Sequence, residues 1–230
     1  MPHDGRDRKR LVSQFLRAAF TDLDVAAAAD RLDVNYVQHN PDVGDGRAAF
    51  VSGLQALHRE FPSQQLAVDQ IFAQGDYVAA TSEWQLDPDL PERRVVDLFR
   101  LEGDLLAEHW DVISPPSDAR NPTPPVQAGW LTVALGESTL PRFSLHPEAN
   151  PTGACFELRV PSEGLSFTPK RSVMDESGLV VHSHLRSTDA RLSSDYVRAD
   201  VFKLAGGRLT PHWVVEQPIR ASTQNRNGML

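Results

Sequence analysis

The chain has 230 residues, 40% of them hydrophobic and 23% charged, with a formal net charge of −8 and a pI near 5.4. These values fit a globular protein and argue against nucleic acid or an anionic membrane as the main partner, since both demand clustered basic surface. The single cysteine, Cys155, permits no intramolecular disulfide and reads as a small buried hydrophobe in a reduced, cytoplasmic setting. The basic run Arg6-Asp-Arg-Lys-Arg10 reads as a solvated helix start. No signal peptide or membrane span is visible.

Leu11, Phe15, Leu16, Ala19 and Phe20 recur at helical spacing. Thr21 is expected to cap a second helix through Val25, Ala28, Ala29 and Leu32. Asn35-Tyr-Val-Gln-His-Asn-Pro41 is a short extended piece, followed by the turn Asp42-Val-Gly-Asp-Gly46. Phe50, Val51, Leu54, Leu57 and Phe61 mark a third helix, ended by Pro62. The period then changes to two, predicting strands near 65–74, 77–87, 93–101 and 105–113. Helices followed by a strand meander read as α+β, with helices on one face of an antiparallel sheet. Five prolines in 114–126 form a stiff connection. This divides the chain into a first unit at 1–116, a linker at 117–126 and a second unit at 127–230.

The second unit repeats the plan. Asp97 through Trp110 lies over Asp200 through Trp213 without a gap, and seven of the fourteen positions are identical. Phe143-Ser-Leu-His146-Pro resembles the Tyr36-to-Pro41 piece, and Gly153 takes the place of Gly46. Strands near 165–175, 179–187, 195–204 and 208–216 match the first series. The segment from Gly153 to Pro161 is too short to copy the third helix. The second sheet is therefore expected to have reduced helical cover and to pack its bare face on the first unit.

The repeated ribbon carries an Asp and a His at fixed spacing. A three-residue turn, Glu102-Gly-Asp104, sets Asp97 opposite His109 and Asp200 opposite His212; a two- or four-residue loop shifts that register. Asp111 shares the face of His109, a place taken by Val214 in the second unit. A carboxylate fixes the tautomer of an imidazole and makes it a better base, and a second carboxylate can carry a proton the other way. A cross-strand ion pair tying the hairpin together is the competing explanation. Phe99 on this face, and His39 from the extended piece, favour a pocket wall. Glu83 is a further pocket candidate. His182 and His184, one residue apart, share a strand face; with His212 and His146 they could approach a three-His metal site, though no metal is expected. Trp110 and Trp213 point to the other face as packing residues.

Tyr-Val-Gln-His-Asn-Pro at 36–41, Gly75-Asp76, Val-Val-Asp-Leu-Phe-Arg at 95–100 and Ala-Glu-His-Trp-Asp-Val-Ile at 107–113 resemble the SnoaL-like branch of the nuclear-transport-factor-2-like (NTF2-like) superfamily. Leu179 to Leu185 and the closing Gln224 to Leu230 share the resemblance. It implies two tandem NTF2-like cone-shaped α+β barrels, the second with reduced helices, forming an intramolecular pseudo-dimer. It also implies aldol-type cyclisation, isomerisation or dehydration of a polyketide-type, carbonyl-containing small molecule, without metal or organic cofactor. Asp97, His109, Asp111 and His39 match the pattern of catalytic positions. Tyr36, Phe99, Glu83, His182, His184, Asp200 and His212 are expected to bind substrate. Val214 makes the second pocket the weaker catalytic candidate. A binding module without turnover and a metalloprotein built on the second-half histidines are the alternatives, and a homodimer of the fused pair stays open.

Overall fold

The computed structural model describes residues 5–116, 132–135, 156–159, 165–187, 195–206, 208–220 and 224–230. Helices α1 (Gly5–Phe20), α2 (Val25–Ala29) and α3 (Gly46–Glu60) accompany strands β1 (Leu32–Gln38), β2 (Gln65–Gln74), β3 (Tyr77–Gln85), β4 (Arg93–Glu102) and β5 (Leu105–Ile113). Strands β6 (Thr132–Leu135) and β7 (Phe156–Arg159) form a separate ribbon. They are followed by β8 (Leu165–Asp175), β9 (Gly178–Ser187), β10 (Asp195–Ala205) and β11 (Arg208–Pro218). Among the described residues, no helix is long and apolar enough to cross a membrane. The linker at 117–126, His146, Gly153 and Cys155 lie outside the described residues.

The α+β reading holds, with three local corrections. Helix α2 ends at Ala29 and is capped by Asp24, whose Oδ1 accepts the Ala27 N–H at 3.0 Å; the Thr21 hydroxyl instead donates to the Leu66 carbonyl. Leu32 begins a strand. That strand, β1, lies parallel to β5, so the first sheet is mixed, in the order β1-β5-β4-β3-β2. The second sheet has the order β11-β10-β9-β8, wholly antiparallel.

The two meanders fit a duplicated arrangement in detail. Thr81 pairs with Val96, and His182 pairs with Ala199 at the corresponding places. An irregularity after Val68 in β2 has its counterpart after Pro169 in β8. Among the described residues the second unit contains strands and no helix.

Alternation along the strands gives the first sheet two different buried faces. Phe15, Leu16, Phe50 and Leu54 of the helices pack on Val78, Ala80 and Phe99 on one side. On the other, Phe72, Ala79, Val96, Leu98, Trp110 and Val112 pack against Val173, Val180, Val197, Val201, Trp213 and Val215 of the second sheet. Trp110 and Trp213 thus serve the packing role expected of them. Each such side chain withdrawn from water contributes about 1.5–3 kcal/mol.

Gly178 lets the sheets close. A Cβ there would lie 2.0 Å from the Phe202 carbonyl oxygen and 3.0 Å from Cε1 of Phe72 across the layer. Gly178→Ala is therefore expected to destabilise by roughly 1–3 kcal/mol, lowering Tm by roughly 3–10 °C in a thermal unfolding scan. An unchanged Tm would show that the layer spacing is not set at this residue.

Candidate functional site

The site lies on the helix-covered face of the first sheet. The β4–β5 ladder pairs Glu102 with Leu105, which leaves the two-residue loop Gly103-Asp104 in place of the expected three-residue turn. Gly103 has φ 60°, a left-handed conformation that costs glycine nothing. A bulge between Arg100 and Leu101 on one side and Glu108 and Leu106 on the other then sets the register. Asp97 falls opposite Asp111, and Phe99 opposite His109. The predicted Asp97–His109 opposition is thus one pair out. The contact survives diagonally: His109 Nε2 lies 3.0 Å from Asp97 Oδ1.

The His109 tautomer follows from its neighbours. Oε1 of Gln38 accepts the backbone N–H groups of His39 at 2.8 Å and Asn40 at 2.9 Å. The Gln38 amide nitrogen must therefore point the other way, donating to the Tyr36 hydroxyl at 3.1 Å and to His109 Nδ1 at 3.2 Å. Nδ1 accepts, so the ring proton sits on Nε2 and is donated to Asp97. Phe99 stacks on the imidazole with centroids 4.4 Å apart and planes at 8°.

Asp111 accepts a 2.7 Å hydrogen bond from Asn40 Nδ2. Burial raises its pKa to about 6; Asp97 also raises it, while His109 and the Asn40 bond pull it down. Burial also pushes the Tyr36 hydroxyl well above its usual range, with Asp111 and Asp97 adding to the effect. Asp97, His109 and Asp111 are 4%, 3% and 8% exposed, yet Asp97 Oδ2 and Asp111 Oδ1 have no hydrogen-bond partner among the described residues. Buried polar atoms are normally satisfied, so these two oxygens retain the capacity to accept a hydrogen bond from a bound molecule or water.

That place is a cavity of about 620 Å³, within the range of small-molecule sites. Phe50, Leu54, Leu57, Trp84, Val95 and Ile113 give it an apolar wall, and Gln38, Asn40, Asp97, His109 and Asp111 its polar end. One oxygen from each carboxylate and one His109 ring nitrogen lie within 4.8 Å of one another, a ligand set suited to a divalent cation. Both ring nitrogens are already engaged, Nε2 with Asp97 and Nδ1 with Gln38, so a metal could take His109 only by breaking one of these bonds.

The structure brings together Asp97, His109 and Asp111, with Tyr36 and Phe99 packed behind them. It places the other candidates elsewhere. His39 projects to the opposite side of the sheet, where it stacks on Trp110 at 4.7 Å and contacts Glu108 at 2.9 Å. Glu83 also points to that side, since its alternate neighbours Thr81 and Ala79 pair with Val96 and Leu98. His182 is buried between the sheets, where burial and the nearby Arg171 push its pKa down to about 3. His184 lies 3.3 Å from Asp195. His212 sits in a bulge and bonds Asp69 at 2.9 Å. Among the described residues, Asp97, His109 and Asp111 form the one three-residue set close enough to share an ion; the second-half histidines do not converge.

Asp200 does not face His212. The second ribbon is bulged at His212, so Asp200 pairs with Val214. Arg198 grips Asp200 through Nη2 at 2.6 Å and Nε at 2.8 Å, and reaches Glu216 at 2.9 Å. These ions fill the face corresponding to the first unit's cavity wall.

Gln38 and Asn40 were missed in the sequence, although alternation from Tyr36 could have found them: residues 36, 38 and 40 share one face and His39 takes the other. The closing tail was legible only as a family mark. It fastens the same segment, with Asn225 Nδ2 donating to the carbonyls of Asn40 at 2.6 Å and Val43 at 2.8 Å, and Asn227 Nδ2 to that of Gln38 at 2.9 Å.

No curated protein matches the chain's sequence. Three solved structures overlie about half of it. One is an uncharacterised cystatin-fold protein from Novosphingobium aromaticivorans, 19% identical, covering 45% of this chain and 95% of its own, with a TM-score of 0.42. AclR, a candidate hydroxylase from Streptomyces galilaeus, is 22% identical over 51% of this chain and 85% of its own, with a TM-score of 0.44. A candidate polyketide cyclase from Acidithiobacillus ferrooxidans is 21% identical over 46% and 87%, with a TM-score of 0.40. Residues 12–109, which hold α3, β1 and both site carboxylate strands up to His109, match the family model of the SnoaL-like domain, so the first unit carries a SnoaL-like domain of the NTF2-like superfamily.

Proposed function

We propose that the first unit is an acid–base enzyme acting on a mostly apolar, carbonyl-containing small molecule, of the polyketide or related secondary-metabolite kind. The observation that carries this reading is the pair of directly opposed buried carboxylates, each with one unpartnered oxygen, at the polar end of an apolar cavity. The SnoaL-like match over 12–109 supports it. In this reading the unit at 127–230 is a degenerate copy, whose sheet stands in for a dimer mate.

The roles follow from the hydrogen bonds. His109 donates Nε2–H to Asp97 Oδ1, which orients that carboxyl group and leaves Oδ2 toward the cavity. Asp97 takes a proton from the carbon next to a substrate carbonyl. Asp111, whose pKa is raised to about 6, gives its proton to the carbonyl oxygen as the enol forms. Return of a proton to another carbon gives isomerisation. Attack of the enol on a second carbonyl gives ring closure, and loss of a β-hydroxyl gives dehydration. All three share the first proton transfer.

That step is measurable without the natural substrate, as deuterium uptake next to the carbonyl of cyclic aryl ketones such as 2-tetralone, followed by NMR. Asp97→Asn should slow uptake by roughly 10²–10⁴-fold while leaving ketone affinity within about threefold. A non-catalytic binding module would bind the ketone and accelerate no exchange, and that result would remove the enzymatic reading.

The mechanism needs Asp111 protonated, so exchange should fall as pH rises through about 6. Asn40→Ala removes a hydrogen bond that favours the ionised form. The alkaline limb should then move to higher pH; a limb that stays put would show that another group sets it.

Asp111 also makes a stability prediction. A carboxyl whose folded pKa exceeds its unfolded value stabilises fully at pH below the unfolded value near 3.8, and that contribution disappears as pH rises through about 6. Asp111→Asn should accordingly raise stability at pH 7–8, by something on the order of 2–3 kcal/mol, and give no gain below pH 4. Equal Tm changes at both pH values would contradict the raised pKa.

A further inference from the structure

The cavity has a second polar end that the acid–base chemistry does not use. Asp97, Val95 and Arg93 occupy alternate positions on β4 and all three line the cavity. Arg93 pairs with Trp84 across the β3–β4 ladder, and the Trp84 ring is held in place by its 3.0 Å bond to Gln64 and an edge contact with Phe20. Asp97 lies four residue steps along the strand from Arg93, roughly 13 Å at about 3.3 Å per step. Arg93 is the one Lys or Arg among the described residues lining the cavity, and its side chain makes no hydrogen bond or ion pair with any described residue. The lining carboxylates are Asp97 and Asp111 at one end, Glu60 on α3, and Asp42, which is held by Arg220.

From this arrangement we infer that Arg93 is an anion anchor, and that the substrate is an elongated apolar molecule bearing a carboxylate or other oxyanion at the end remote from its reacting carbonyl. The inference rests on the acid–base reading of the cavity and fixes which way round the substrate lies in it. An anionic group is repelled from the Asp97–Asp111 end, where like charges already crowd, and is attracted to the guanidinium, whose planar fork matches an oxyanion. The apolar wall between the ends, Val95 with Ile113 and Leu54, suits the hydrocarbon span. An anchored tail holds the neutral carbonyl against the two orphaned carboxylate oxygens.

Two fluorescent probes with the same aromatic skeleton test this on the full chain: 8-anilinonaphthalene-1-sulfonate, which is anionic, and N-phenyl-1-naphthylamine, which is neutral. The wild type should bind the sulfonate more tightly than the amine. Arg93→Gln should weaken the sulfonate by roughly 5- to 10-fold and leave the amine within twofold, and Arg93→Lys should restore part of the preference. A wild type with no preference for the sulfonate, or an Arg93→Gln variant that keeps the preference or loses both probes equally, overturns the inference. Asp97→Asn separates the two readings: loss of proton exchange in that variant with the sulfonate preference retained supports both. A wild type without exchange that still shows the Arg93-dependent preference defeats only the acid–base reading.

Discussion

Two buried carboxylates face each other across a β-ladder at the polar end of a cavity. Directly opposed side chains stand about 5 Å apart at Cβ, and like charges at that range resist joint ionisation. The surroundings of Asp97 and Asp111 resolve this conflict unequally. Asp97 receives the His109 N–H, while Asp111 receives only the Asn40 amide and has a raised pKa. The difference rests on a relay of oriented groups. Two backbone N–H groups fix the Gln38 amide, that amide fixes the His109 tautomer, and the tautomer fixes which carboxylate is served. Asn225 and Asn227 of the closing tail hold the backbone of the same segment from outside. A residue at the far end of the chain thus supports a site in its first half.

The second sheet shows what the same ribbon becomes when its neighbours change. Position 95 is valine and position 198, its counterpart, is arginine; Ile113 is replaced by Glu216. An apolar wall becomes a buried Arg198–Asp200–Glu216 set, and Asp200 is tied up as an ion-pair partner. Buried ion pairs add little net stability, but removing one member leaves an uncompensated charge. The second unit's other face supplies Val173, Val180, Val201 and Trp213, which cover the back of the first sheet. The cavity lies on the other, helix-covered face.

Much of the fold was legible because it is periodic. The strands at 65–74, 105–113 and 165–175 were read at their observed limits. The site was legible in part: His109 and Asp111 lie two apart on one strand and share a face by alternation, whereas Asp97, on the neighbouring strand, joins them only because the bulge at Ala107 offsets the two-residue loop. His39 was misjudged because it was grouped with Tyr36 by motif, although strand positions whose numbers differ by an odd count, here three, face opposite ways. Glu83 lies on the face of Thr81, which turns to the second sheet, because alternation along β3 sets both away from the cavity. The Asp200–His212 pairing failed on a bulge. A single extra residue in β11 lies at His212, whereas the first hairpin's irregularity falls two positions earlier, and nothing in the local composition reports that difference.

The sequence by itself determined the order and type of most elements, the recurrence of the ribbon, and the face shared by His109 and Asp111 two residues apart on one strand. These are local properties, carried by spacing along a single segment. Tertiary structure alone decided which face each sheet gives to its partner, which of two like aspartates meets an arginine, and how far Asp111 is driven from its ordinary pKa. Burial and Coulomb interaction depend on atoms distant in the chain, and they take a value only once the two sheets, the helices and the tail have closed around the same few oxygens.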